Sequence, residues 1–420
     1  MKLFIVLLLT INIFASSKEQ SLIYLNSLRQ SVGLISLEHN SILENAAQNH
    51  ADYIGDIYKK HKINLMHSED NIKYPSSYYT GKKSTERGLY LNYKSRYYFE
   101  NLSAGHKSIY KSIDALMSAI YHRYVFLRNN IDEIGIGINK FKPKYTVYNY
   151  NMGNSLLGEI CNGYSFTGKS SYIYKVCKDE KFRVEKSLYK ASKNYLASES
   201  PKYIIWPGKD AKYIQPVFFE EHPDPLPNSS VSGYPISIEF NSYYFDNKDV
   251  EINSFRIYNE NNAELKNTLL MNYLNDPNNK HNRFQYTLFP LERLKGNHKY
   301  KIKIEYLVDG YEKYIEWSFT TRGIDYPYYE IKDKKSTIKV NSGKSYILYM
   351  VPQHNNDIFK SWKLTKKEKS KSIIKYIDGN TLLINLRGKI GQKYTVKLSN
   401  ARKITIYIAN EDSAKIDKKR

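Results

Sequence analysis

The spacing of apolar residues changes along this chain of 420 residues, and that change narrows the possible folds more than any other feature. In the first part of the chain, apolar residues recur every three or four positions, as in Leu22, Leu25 and Leu28, which predicts amphipathic helices. From Tyr234 onward they alternate with polar residues, as in YPISIEFN, which predicts strands with one buried face. A mixed α and β region therefore precedes all-β regions, and the length fits two or three domains.

The mixed region has a regular order of elements. Helices are predicted over residues 18–60, with a break near Gly33, and again over Ser108–Tyr124. The stretches EIGIGIN and KYTVYNYN that follow are predicted strands, whereas the tyrosine-rich region 63–99 has no clear period. Helices and strands mixed within one such stretch indicate a single α/β or α+β domain over residues 18–160.

The later part of the chain divides into a connection and two β domains. Residues 161–214 hold a cysteine loop and a proline-, glycine- and serine-rich linker. Residues 215–323 predict a β-sandwich, with a hairpin that turns at Asp309 and Gly310. Residues 327–410 predict a smaller β domain, and a charged tail follows at 411–420.

The chain begins with MKLFIVLLLTINIFASS, which has the pattern of a secretory signal peptide. Lys2 precedes an apolar run that is too short to span a membrane comfortably, and small residues then predict cleavage near Ser17. No later stretch approaches twenty apolar residues. The expected mature protein, without residues 1–17, is therefore periplasmic or secreted and has no transmembrane segment.

Cys161 and Cys177 are the two cysteines of the chain. In an oxidising compartment they are expected to form one disulfide, which would contribute about 3 kcal/mol in the chain-entropy model. Two free buried thiols are the alternative.

Positive charge is concentrated near the C-terminus. The formal net charge is +22, and residues 330–420 contain 22 Lys and Arg against 8 Asp and Glu. This excess predicts contact with anionic envelope polymers or lipid headgroups, although a solvated basic face is the commoner explanation. Nucleic acid is not predicted as a partner, because no nucleic-acid-binding motif occurs in a chain expected to be exported.

Strong enzyme motifs such as GxSxG, HExxH and the P-loop do not occur in the sequence, so the histidines guide the search for a site. Six of the ten histidines precede residue 123, namely His39, His50, His61, His67, His106 and His122. His50 lies on the apolar face of its predicted helix and is expected in the core, while His39, His61 and His106 lie in polar stretches and are expected to be exposed. His67, His122 and Glu100 remain as candidates that could bind zinc with an open position or act as acid and base.

The candidate residues lie in fragments that, in this order, resemble the CAP superfamily in its bacterial SCP-like form. The superfamily comprises cysteine-rich secretory, antigen 5 and pathogenesis-related proteins. The fragments are YLNSLRQSVGL, AAQNHADYI, MHSE, ENLSAG, LMSAIYHR with IDEIGIGI, and YTVYNYNMGN, and they cover about residues 20–155. The resemblance implies an α-β-α sandwich with a central cleft that holds two histidines and two glutamates, and in some members a divalent metal such as zinc.

The cleft residues of the family can be matched one by one to positions in this sequence. His67 matches the histidine of the family's H-S segment, Glu100 the glutamate of E-N-L, and His122 the histidine of the later helix. His67 and His122 are therefore the metal ligands that the resemblance implies, for zinc or another divalent cation. The second glutamate has no match, because the chain has Ala119 where many eukaryotic members place it. We therefore expect the cleft to bind a ligand more than we expect it to catalyse a reaction.

The sequence LKGNHKYKIKIEYLVDGYEKYIEWSFTT resembles the end of a bacterial Ig-like domain, in which Trp317 and Phe319 would face the core. The predicted fold class is therefore multidomain, with an α-β-α sandwich CAP domain, an Ig-like β-sandwich and a small C-terminal β domain. The predicted function is ligand binding or scaffolding at the bacterial cell envelope, with a lipid, peptide or protein as ligand. The alternatives are a zinc-dependent hydrolase of peptide or cell-wall substrates and a structural or adhesive role of the β domains.

Overall fold

The structure is a computed structural model that describes residues 16–63, 65–142, 145–218, 221–323, 326–354, 356–366 and 371–409. The expected signal segment up to residue 15 and the charged tail 411–420 lie outside these residues. The chain divides into two compact units, Met1–Met117 with His122–Lys202, and Ser118–Tyr121 with Tyr203–Arg420. Within the described ranges no helix is both long and apolar enough to cross a membrane.

The chain up to Lys202 contains helices and short or medium strands in alternation. The helices are α1 Ser17–Gln30, α2 Ser41–His61, α3 Ser84–Tyr90, α4 Ile109–Ser118, α5 Ile120–Phe126, α6 Ser155–Ile160 and α7 Lys186–Ser198. The strands are β1 Glu38–His39, β2 Phe99–Ala104, β3 Glu133–Lys142, β4 Tyr145–Gly153, β5 Tyr172–Ile173 and β6 Val184–Glu185. The predicted helix Ser108–Tyr124 is thus two helices, separated at Ala119.

A four-stranded sheet with the order β1-β3-β4-β2 forms the middle layer of this unit. Helix α2 lies on one face, where the Asn149 side-chain amide of β4 donates to the Ala47 carbonyl at 3.3 Å. Gly137 of β3 permits this approach, because a Cβ there would lie 2.1 Å from the same carbonyl oxygen. Helix α4 contacts the opposite face, where the hydroxyls of Ser112 and Tyr150 lie 2.9 Å apart. Helices on both faces give the predicted α-β-α layers.

The chain after β4 contains more secondary structure than a linker would. Cys161 and Cys177 are joined by a disulfide with their Cα atoms 5.2 Å apart, and helix α7 follows. Sequence analysis placed a cysteine loop and linker over 161–214, whereas the first compact unit extends to Lys202. The amphipathic pattern in KSLYKASKNYLAS, with Leu196 and Ala197 buried, accounts for the helix.

The second unit begins with two four-stranded sheets. Their strands are β7 Tyr203–Trp206, β8 Ala211–Ile214, β9 Ile236–Phe240, β10 Val250–Tyr258, β11 Thr268–Met271, β12 Gln285–Pro290, β13 Lys299–Val308 and β14 Tyr311–Thr321, with helix α8 Ser242–Phe245 after β9. The sheet orders are β10-β13-β14-β8 and β11-β12-β9-β7, and the Phe240 and Tyr306 rings, one from each sheet, are 5.1 Å apart. The two sheets therefore face each other, as in a β-sandwich.

The details of the first sandwich agree with the sequence pattern. Asp309 and Gly310 have positive φ values and connect β13 to β14 as a two-residue hairpin turn. Trp317 and Phe319 are buried, as alternation predicted. The Ig-like resemblance of these strands stays a prediction.

A second pair of sheets completes the unit. Its strands are β15 Tyr328–Ile331, β16 Lys335–Asn341, β17 Ser345–Met350, β18 Trp362–Lys366, β19 Ser372–Asp378, β20 Thr381–Leu386, β21 Lys393–Leu398 and β22 Lys403–Ala409. The orders are β15-β17-β20-β19 and β16-β22-β21-β18. One apolar core joins the two sheets, with Leu348 and Ile384 from the first and Val396 and Ile406 from the second.

Candidate functional site

Strand β2 is the edge of the middle sheet, and its successive residues point to opposite helical layers. Glu100 lies on the α2 side, where the Asn149 amide donates to its Oε2 at 3.3 Å. Asn101 lies on the other side, and its amide donates to the carbonyl oxygen of His122 in α5 at 2.8 Å. Residues from both helical layers therefore meet at this edge strand.

His67 is held at this edge by a buried ion pair. Its Nδ1 lies 2.9 Å from Glu100 Oε1, and Arg87 Nη2 donates to Glu100 Oε2 at 2.6 Å. Arg87 Nη1 also donates to the carbonyl oxygen of His67 at 3.0 Å. The His67 side chain is 52% exposed, whereas those of Arg87 and Glu100 are buried. With Nδ1 engaged, Nε2 is the ring nitrogen that a ligand can reach.

A second carboxylate lies behind this pair. Glu69 Oε1 is 2.7 Å from His50 Nδ1 and 3.7 Å from Arg87 Nε, and all three side chains are fully buried. The other ring nitrogen of His50 is 3.1 Å from the Met66 carbonyl oxygen. His50 is therefore a satisfied core histidine, as its helical position predicted, and it belongs to a buried cluster of charged and polar groups.

Sequence analysis did not select Arg87 or Glu69. Glu69 stands two positions after His67 in MHSED, and Arg87 stands in STERG, at the short helix α3. Both lie in the stretch without a clear period, where a charged residue is expected on the surface. The one signal in the sequence was the proximity of Glu69 to His67 in the chain, and nothing local pointed to Arg87.

The electrostatic surroundings keep Glu100 ionised. Burial by itself would raise the pKa of Glu100, but the charge of Arg87, the interaction with His50 and the hydrogen bond with His67 outweigh it. The pKa of Glu100 therefore lies well below its ordinary value, and the side chain is a carboxylate throughout the neutral range.

His67 and His122 lie side by side, with ring centroids 6.2 Å apart and ring planes 23° apart. Two imidazoles on one tetrahedral zinc ion, with Zn–N bonds of about 2.0 Å, would have centroids about 5 Å apart. The rings would thus need to approach by about 1 Å to share an ion. His39, at 54% side-chain exposure, is on the surface, and His61 is also exposed, so neither belongs to this pair.

The other possible metal donors near the pair are limited. Ala119 is buried and supplies no donor, as the sequence indicated. Glu100 is engaged by Arg87 and His67, and among the described residues no group of three or more His, Cys, Asp or Glu is arranged to hold a metal ion. An ion at this place would have the two imidazoles as its protein ligands after the rings approach each other, and Glu100 would orient His67 from behind.

This part of the chain is similar to proteins of known structure. Similar solved structures include an outer surface protein from Borrelia burgdorferi, with 16% identity and a TM-score of 0.27, over 33% of this chain and 91% of that chain. They also include an extracellular protein containing an SCP domain from Bacillus anthracis, with 16% identity and a TM-score of 0.26, over 32% of this chain and 39% of that chain. The search of curated proteins gave no match. The family model for CAP, the cysteine-rich secretory protein family, matches residues 22–150, so this part of the chain is a CAP domain.

Proposed function

We propose that the CAP domain acts outside the cytoplasm as a ligand-binding or scaffold module at the bacterial cell envelope. His67 and His122 would contact the ligand, and the β domains would position the module. The family match and the secretory pattern of the N-terminal sequence support an extracytoplasmic location. A lipid, a peptide or a protein surface remains the proposed class of ligand.

The observation that carries this proposal is the chain of contacts from Arg87 through Glu100 to His67. A general acid must hold a proton near neutral pH, and Glu100 is kept ionised by its surroundings. A general base needs an oxygen directed at the substrate, but Glu100 Oε1 and Oε2 already accept from His67 and Arg87. These contacts leave Glu100 without an acid or base role and hold the His67 ring in one orientation, as a recognition site requires.

A divalent cation such as zinc would be held by His67 and His122. When bound, it would supply a Lewis acid or a bridge to an anionic ligand group. Glu100 would hold the His67 ring in one orientation and strengthen Nε2 as a donor, which is the usual role of a carboxylate behind a metal-binding histidine.

The alternative, a zinc-dependent hydrolase acting on peptide or cell-wall material, would use the same two histidines. It also needs a group that accepts a proton from water. Because Glu100 is already occupied, the binding function is the better supported of the two.

Calorimetric titration of the full-length protein with zinc tests the site. We expect one site per chain that is lost or weakened at least about tenfold in His67→Ala and in His122→Ala. His39→Ala, an exposed histidine of the same unit, is the matched control and should bind zinc as the unchanged protein does. Affinity should also fall between about pH 8 and about pH 5, because protons compete for imidazole nitrogens.

Zinc binding that is equal in all four proteins would remove the metal from the proposal. Wall-lytic or peptidase activity that requires zinc, His67 and His122 together would favour the hydrolase instead.

A further inference from the structure

We propose that the outer face of sheet β16-β22-β21-β18 is a binding surface for a linear polyanion. This proposal rests on the function proposed above, in which the β domains position the module at the envelope. It does not depend on the histidine pair.

The face is defined by strand alternation. Val340, Val396 and Ile406 point into the apolar core, so the residues between them point outward. Apart from Asn341 and Ala409 at the strand ends, the outward residues are Lys335, Thr337 and Lys339 of β16, Lys403, Thr405 and Tyr407 of β22, Lys393, Thr395 and Lys397 of β21, and Lys363 and Thr365 of β18. We call these eleven residues the lysine face.

The strand register aligns four of these lysines across the sheet. Lys335 is paired with Lys403, Lys403 with Lys397, and Lys397 with Lys363. Strands in a sheet lie about 4.8 Å apart, so the four Cα positions form a line about 14 Å long. We call this line the lysine row.

The neighbouring lines of the face are also uniform. The next line consists of threonines, Thr337, Thr405, Thr395 and Thr365, in the same strand order. The line beyond it contains Lys339, Tyr407 and Lys393. Ammonium groups thus lie on both sides of a band of hydroxyl groups, all of which can donate hydrogen bonds to anionic oxygens.

The lysine face contains no carboxylate. None of its outward residues is Asp or Glu, and none of its six lysines forms an ion pair with a described residue. The acidic residue nearest to the row in sequence is Asp333, in the turn before β16. Like charges directly opposite each other on neighbouring strands are destabilising, so a bound polyanion would relieve the repulsion within the row.

The opposite sheet of the same domain differs. The outward residues of β15, β17 and β20 include Tyr328, Glu330, Ile347, Tyr349 and Leu383. Lys375 of β19, which is paired with Leu383, is the one lysine at a described outward position within the strands of this sheet. Arg293 of the first sandwich forms an ion pair with Asp378 at the end of β19, at 3.1 Å. The outward lysines of this domain are therefore concentrated on one of its two sheets. An even spread of the positive charge of the domain over both sheets would not produce this difference.

The shape of the face favours a polymer over a membrane surface. Membrane-bound surfaces combine basic residues with Trp, Phe or Leu side chains that enter the headgroup region. On the lysine face, Tyr407 is the only large apolar side chain among the described outward residues, and it is half-buried. A straight row of charges beside hydroxyl groups fits the repeating anionic groups of an extended chain.

Binding of the full-length protein to sodium polyphosphate of defined length tests the proposal. The row variant carries Lys335→Gln, Lys363→Gln, Lys397→Gln and Lys403→Gln. The matched control removes the same charge elsewhere in the second unit, with Lys209→Gln, Lys212→Gln, Lys280→Gln and Lys313→Gln, all at exposed positions. We expect the row variant to bind at least about tenfold more weakly at 0.1 M salt, with a shallower salt dependence, and the control to lose less than about threefold.

A stability measurement separates a binding face from a merely solvated one. Without polyanion, the row variant should melt at a higher temperature than the unchanged protein at low salt, because the repulsion is removed. Polyphosphate should raise the melting temperature of the unchanged protein and of the control, but not that of the row variant.

Three results would overturn the proposal. Equal loss of affinity in the row variant and the control would show that net charge alone is responsible. Binding to phosphatidylglycerol vesicles without binding to polyphosphate would identify a membrane surface as the partner. No binding to either probe would show a solvated face. His67→Ala should bind polyphosphate normally, so failure of the histidine site and failure of the lysine face are distinguishable.

Discussion

Arg87 lies between two buried carboxylates, Glu69 and Glu100, and forms an ion pair with each of them. Removing one partner of a buried ion pair leaves the other charge without compensation, which costs far more than the pair itself contributes. The position of His67 depends on the same guanidinium, through Glu100 and through the main-chain carbonyl. Arg87 therefore acts on the site as a positioning residue.

We expect Arg87→Met to lower the free energy of unfolding of the first unit by about 3 to 5 kcal/mol, measured by urea denaturation. Lys60→Met is the control, because Lys60 is 52% exposed and pairs with Asp56 on α2, where an ion pair contributes about 1 kcal/mol or less. Adding Glu100→Gln to Arg87→Met should restore part of the loss. Equal losses for Arg87→Met and Lys60→Met would contradict the role of Arg87.

The lowered pKa of Glu100 predicts a pH dependence. A carboxylate whose pKa is lower in the folded state stabilises the fold fully above its unfolded value, here about 4.5, and the contribution falls as the pH drops below that value. Glu100→Gln should thus destabilise the protein most at neutral pH, and the difference from the unchanged protein should shrink below about pH 4.5. Urea denaturation at a series of pH values measures this difference. A difference that grows on acidification would contradict the lowered pKa.

At this scale the sequence identified the two histidines and the carboxylate between His67 and Arg87, but not Arg87 and Glu69 behind them. His67, Glu100 and His122 were selected because their fragments resemble a family, and the structure places them together. Arg87 and Glu69 are brought in by the tertiary fold from a stretch without periodicity, so no local pattern distinguishes them from surface charges.

The close contact between helix α2 and strand β3 helps to determine the shape of the site. Gly135 and Gly137 give the helix backbone direct access to the sheet, since a Cβ at either position would overlap main-chain atoms of α2. The close contact places Ala47 beside Asn149, which in turn bonds to Glu100. A glycine on β3 therefore helps to determine where Glu100 lies.

Gly137→Ala should lower the free energy of unfolding by about 3 kcal/mol or more, because the new methyl group meets main-chain atoms that cannot move independently. Gly158→Ala is the control, since Gly158 is helical and no atom beyond its chain neighbours and the backbone of its own helix lies within 4 Å of the position that its new methyl group would take. It should be neutral or raise stability by up to about 1 kcal/mol. Thermal or urea unfolding measures the change in the free energy of unfolding for both variants. A small effect at Gly137 would mean that α2 can shift on the sheet.

The predictions of secondary structure were most accurate where the apolar pattern extends over many residues. Helix α2, strands β3 and β4, and the hairpin at Asp309 and Gly310 follow directly from their patterns. The break at Ala119 was missed, because apolar spacing continues through it without a proline or glycine. Helix α7 was missed because its three lysines and two tyrosines obscure a narrow apolar face.

At the scale of the whole molecule, two candidate binding surfaces lie in different units. The histidine pair belongs to the first unit, and the lysine face belongs to the second. Their functions should therefore respond separately to substitution. The change in apolar spacing predicted a mixed α and β region before later β regions, whereas the lysine row depends on the register between strands that are far apart in sequence.

A chain that ends at Gly323 should keep its zinc response and lose salt-sensitive retention on isolated cell envelopes. The reason is that the lysine face lies entirely after this residue. Co-sedimentation at low and high salt measures the retention. Because the shortened chain also loses Asp378, the partner of Arg293, the full-length row variant is the control that preserves this contact, and it should lose retention to a similar extent. Unchanged retention of the shortened chain would remove the anchoring role of the last domain.

The parallel pairing of β16 with β22 has a mechanical consequence. These are the first and last strands of their sheet in chain order, and they are paired over seven residues, from Lys335 with Lys403 to Asn341 with Ala409. Tension applied between the start of β16 and the end of β22 acts along the strands, so the evenly spaced hydrogen bonds carry the load together instead of opening one after another. A protein held to a polymer by this sheet would resist pulling forces along that direction better than its modest size suggests.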